Sequence, residues 1–132
     1  MKKTILSLGF LLAIYFSVQA QEIKKDEDRQ FMQITTVESV VAGGLGRSKM
    51  IITNPDGSQK ESDMENLFSL AGINFKNIKE NEDKIIRTLK SYTDNGWTIE
   101  KVTSFTLSPG ESGQGIFMTR YLLVSDTNKK AF

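Results

Sequence analysis

The sequence predicts an α+β domain: an antiparallel four- to five-stranded sheet with one main amphipathic helix packed on one face. Three observations carry this. Ile85, Ile86, Leu89 and Tyr92 fall at i, i+1, i+4 and i+7, one stripe of a 3.6-residue helix, with Lys84, Arg87, Lys90, Ser91 and Asp94 opposite. That pattern breaks at Asn95-Gly96, where glycine accepts a left-handed conformation, and strand chemistry resumes with Trp97. Segments rich in Thr, Val and Ile, bounded by turn residues, lie on both sides of the helix.

The first twenty residues read as a cleaved export signal. Lys2 and Lys3 form a basic start, Thr4 to Val18 an apolar stretch shorter than the roughly 20 residues that span a bilayer, and Ala20 supplies the small residue before cleavage. Cleavage leaves 112 of the 132 residues, enough for one domain. Gln21 to Gln30 is charged with nothing to bury and reads as a flexible mature N-terminus.

Structure is expected from Phe31. Phe31, Thr35 and Val37 line one side of a strand to Val40, and Met32, Ile34, Thr36 and Val40 the other, so it belongs in the middle of the sheet. The run at 42–46 breaks it, and Ser48 to Thr53 returns along it as a hairpin. Asn54-Pro55-Asp56-Gly57 is a turn, with Pro presetting φ and Gly taking the positive φ, so Ser58 to Ser62 forms a short return strand. Ser62-Asp63-Met64-Glu65 has the form of a capping box before Leu67, Phe68 and Leu70, which suggests a short helix ending at Gly72; an irregular covering segment fits as well. The main helix is expected over Glu82 to Asn95, with an earlier start possible because Ile78 is in register with Ile85 and Tyr92. Glu80-Lys84 and Asp83-Arg87 are its candidate i,i+4 pairs.

Trp97 to Thr106 is the next strand, with Trp97, Ile99 and Phe105 assigned to one face, and Ile116 to Ser125 its antiparallel partner. Ser108 to Gly115 is rich in breakers and reads as a mobile tip, and Asp126 to Phe132 as a polar tail. The last strand is apolar on both sides, yet one helix covers one face. Either Leu67 to Ile78 folds over the second face, or that face meets another protein. Met118, Arg120 and Leu122, on one side of that strand, are the candidate interface residues.

Composition excludes several functions. Removing Lys2 and Lys3 leaves 15 basic against 16 acidic residues, a net charge of −1, without a Lys/Arg block, so neither nucleic acid nor an anionic membrane surface is an expected partner. The chain has no Cys and no His, hence no disulfide, lipid anchor on a mature N-terminal Cys, Ser-His-Asp triad, Cys nucleophile or His/Cys zinc site. No cofactor, metal or catalytic residue is assigned. Glu61, Asp63 and Glu65 would share a strand face, but a calcium loop needs more ligands and a glycine turn, so a solvated edge is the better reading. Gly110-Glu111-Ser112-Gly113 resembles a nucleophile elbow, with Gln114 in place of its last glycine and no base for Ser112. Gly43, Gly44, Gly46 and Arg47 form a candidate anion-binding loop, though the spacing fits no phosphate fingerprint.

Asn95-Gly96-Trp97-Thr98-Ile99 followed by Gly115 to Leu122 resembles the corner and final strand of the bacterial domain of unknown function 4177 group, with Thr98 where that group carries Glu. Gly43 to Ser48 together with Gly72-Ile73-Asn74-Phe75 is similar to small exported proteins of Bacteroidetes-type bacteria. The resemblance implies a small α+β domain and no activity. The expected function is therefore that of a non-catalytic exported module, periplasmic or secreted, that contacts a protein partner or forms a homodimer. The alternatives are a binding module for a small anion or glycan and a carboxylate-based glycan enzyme.

Overall fold

The computed structural model describes residues 29–41, 47–108 and 114–126. The export signal, Gly43, Gly44, Gly46, Ser112 and the tail beyond Asp126 lie outside the described residues. The fold is α+β: the described residues form a five-stranded antiparallel sheet, a two-stranded ribbon and one helix. In chain order these are β1 (Arg29–Val41), β2 (Ser48–Thr53), β3 (Gln59–Met64), β4 (Phe68–Ser69), β5 (Gly72–Ile73), α1 (Phe75–Thr93), β6 (Thr98–Leu107) and β7 (Gln114–Asp126). The sheet order is β3-β2-β1-β7-β6. β1 is central, as its two apolar sides require, and pairs with β7 from Arg29↔Asp126 to Val41↔Gln114. Arg29 and Gln30, expected in a flexible terminus, are paired strand residues because β7 runs far enough to meet them.

Alternation divides the sheet into two faces. Met32, Ile34, Met50, Ile52, Met64 and Leu123 form the buried core under α1, and Ile85, Leu89, Tyr92, Trp97 and Tyr121 pack against it. Burial of an aliphatic side chain of this size is worth roughly 1.5–3 kcal/mol. This cluster is the main cohesive term in a chain without disulfides.

Five expectations are corrected. The helix begins at Phe75, seven residues before Glu82, because the Asn74 side chain accepts the Asn77 N–H at 3.3 Å and caps it there. Glu80, Glu82 and Asp83 are consequently mid-helix, and Glu80 pairs with Lys76 rather than Lys84, while Asp83–Arg87 forms at 2.7 Å. Ile86 lies one step of 100° from Ile85 and is 62% exposed, so it leaves the buried stripe. The segment after Ser62 is not helical: β3 extends to Met64 and the chain then makes the β4–β5 ribbon, since the Ser62-to-Glu65 spacing of a capping box also suits a charged edge strand. Finally, a register shift between Ile99 and Lys101 places Ile99 and Phe105 on opposite faces. Glu100 is the extra residue of a bulge, and it inverts the alternation beyond it.

The turn at 54–57 and the stop at Gly96 form as expected. Gly57 has φ 81° and Gly96 φ 87°, and the Trp97 N–H bonds to the Tyr92 carbonyl to close the helix end.

Candidate functional site

The face opposite α1 carries the chemistry of interest. Register places Val37 of β1, Met118 of β7 and Phe105 of β6 in one row, with Ile116 and Leu107 in the row beside it. Phe105 is 47% and Leu107 61% exposed, and Val37, Ile116 and Met118 are half-buried. Among the described residues no element roofs this corner. The segment expected to do so, Leu67 to Ile78, lies at the end of β1, where the Leu67 N–H donates to the Ser39 carbonyl, and it leaves Leu70, Ile73 and Phe75 exposed themselves.

The rest of the open face mixes apolar side chains, Phe31, Ile51, Leu122 and Val124, with polar ones. Lys49 and Glu61 pair across β2 and β3 at 2.6 Å, and hydrogen bonding to that carboxylate raises the Lys49 ammonium above its ordinary value. Gln33 Nε2 donates to Thr35 Oγ1 at 3.0 Å. At the far end Arg29 stacks over Phe31, 5.3 Å from the ring centroid, and reaches Glu100 at 3.3 Å. The most exposed apolar row with its neighbours, Val37, Met118, Phe105, Ile116 and Leu107, lies on β1, β7 and β6.

Met118, Arg120 and Leu122 do share the open face, as spacing alone required. Arg120 is exposed between Thr35 and Thr103 and has no ion pair among the described residues. Of the anion-loop candidates only Arg47 is described; it is exposed beside Ser48. Glu61 and Asp63 are exposed on the β3 edge, and no metal-binding group of three acidic residues exists among the described residues. No described helix is long and apolar enough to cross a membrane.

The strand β6 forms and pairs with β7 as expected, but its exposure along the sheet edge was not foreseen. Every residue of this edge strand is exposed, including Ile99 at 38% and Val102 at 52% on the helix side, because Ile85, Leu89 and Tyr92 of α1 pack on the core of β1, β2, β3 and β7. The signal was available in its composition: Val102-Thr103-Ser104-Phe105-Thr106-Leu107 has no charge, Pro or Gly, unlike the opposite edge, where Lys60, Glu61 and Asp63 interrupt β3.

Comparison with known protein families, curated proteins and solved structures gives no match to this chain.

Proposed function

We propose that this chain is a non-catalytic module, exported on the strength of its N-terminal pattern, that works by protein contact and in the first instance by self-association. The observation that supports this is the uncovered row Val37–Met118–Phe105 with Ile116 and Leu107 beside it, a contiguous apolar corner on the open face of the sheet. An enzyme reading has little to draw on: the chain has no His and no Cys, and its described acidic groups pair locally or sit apart on the surface.

The test is the solution mass of the purified protein by light scattering over a concentration series. The expected result is a mass of two protomers, reduced to one by Phe105→Asp with the circular dichroism spectrum unchanged. A single protomer mass throughout the series removes self-association and transfers the same face to a different protein.

A further inference from the structure

We propose that two copies of the chain join through their β6 edges, antiparallel, into one continuous ten-stranded sheet. This rests on the self-association reading and specifies its geometry. Three observations favour the edge. β6 is exposed along its length and on both faces, so pairing it buries Val102 on one side and Phe105 and Leu107 on the other. Its stretch from Val102 to Leu107 lacks the charges that guard β3, and an uncharged, β-prone segment on an edge is a pairing template. Its only charges, Glu100 and Lys101, lie at the bulge, with Glu100 already tied to Arg29.

Symmetry narrows the arrangement. A two-fold axis normal to the sheet reverses strand direction while keeping each face on its own side, so both helices lie on one side and both apolar corners on the other. Centring the axis on Phe105 sets Thr103 opposite the partner's Leu107 and Ser104 opposite the partner's Thr106. That register engages the uncharged segment and leaves Lys101 outside it. The row Val37–Met118–Phe105 then continues directly into the same row of the second copy.

Two variants separate this from a face-to-face dimer. Val102→Lys with Thr106→Lys places like charges across the β6 seam, on the helix side and away from the open face; Met118→Asp alters the open face one strand away from the seam. Edge pairing is supported if the lysine pair weakens the dimer by at least about tenfold while Met118→Asp leaves it a dimer. The reverse pattern overturns edge pairing and keeps self-association, and a monomeric parent protein overturns both. Because the chain has no cysteine, Phe105→Cys offers a second readout. Under mild oxidation it should give a disulfide-linked dimer, as residues facing each other on the axis can, and Thr98→Cys should not. Absence of that cross-link in a protein that remains dimeric also overturns the proposal.

Discussion

Asn81 and Glu38 meet across the helix–sheet boundary: the Asn81 amide, 1% exposed, donates to the Glu38 carboxylate at 3.0 Å. The same side chain donates to the Glu65 carbonyl at 2.9 Å and accepts the Glu65 N–H at 2.8 Å. One residue on α1 therefore fixes the central strand and the chain just past β3. It also ends sheet pairing there, because Glu65 spends both backbone groups on a side chain.

Asn81→Ala removes the partner of the backbone N–H and carbonyl of Glu65 at a part-buried junction, and should cost about 2 kcal/mol in chemical unfolding. Asn81→Asp should be at least as damaging, since it replaces two donated bonds with a second carboxylate facing Glu38. A loss under about 0.5 kcal/mol for either would show that the three bonds do not hold the helix.

This bracket marks the boundary of what the sequence discloses. β1, β2 and the 54–57 turn were legible because alternation and turn chemistry are local signals, and Met118, Arg120 and Leu122 shared a face by spacing alone. Asn81 was not, because a buried polar residue in an apolar stripe reads as a surface position until its partners 43 and 16 residues away are known. The bulge at Glu100 is likewise set by pairing to β7, so local alternation put Ile99 and Phe105 together. Between Ser62 and Ile78 the β4–β5 ribbon is only two pairs long, too short to impose a period.

Gly96 has φ 87° with nothing within 4 Å of where a Cβ would stand. The cost of Gly96→Ala is therefore backbone strain alone, about 1 kcal/mol, and Gly96→Asn should recover part of it. Thermal melts of the two variants check the order. Equal melting temperatures for Ala and Asn would mean that the left-handed conformation is not what the site requires.

Neighbouring isoleucines on α1 should respond oppositely. Ile86 is 62% exposed, so Ile86→Lys should change stability by less than about 0.5 kcal/mol. Ile85 is partly buried and packs on the core, and Ile85→Lys should cost several-fold more because it gives up that apolar packing. Denaturant midpoints at constant slope measure both.

The turn after β2 should be acid-sensitive. The Ser58 hydroxyl donates to the Asp56 carboxylate at 2.6 Å and the Ser58 N–H at 2.9 Å, and these bonds, the hydroxyl first, lower the Asp56 pKa below its ordinary value. A depressed carboxylate favours the folded state above its unfolded pKa of about 3.9, and that contribution fades as pH falls through the lower folded value. An NMR titration should place the Asp56 midpoint below that of the same residue in Ser58→Ala. Coincident midpoints would remove the hydroxyl as the cause.

The bulge at Glu100 offers the sharpest separation of local from global structure. Ile99 faces Leu123 and Lys101 faces Leu122, so Glu100 alone is surplus to the ladder. Deleting it should leave every other residue of β6 on its present face, with the loss of the exposed Arg29–Glu100 pair as the only missing contact, and change stability by less than about 1 kcal/mol. Deletion of Thr103 removes a paired residue instead, and must either slip the strand or turn its apolar set over. Amide hydrogen exchange along β6 and β7 distinguishes the two: protection should survive the first deletion and collapse in the second. Equal loss in both would mean that Glu100 is needed to bend β6 against β7, and that the bulge shapes the strand rather than interrupting it.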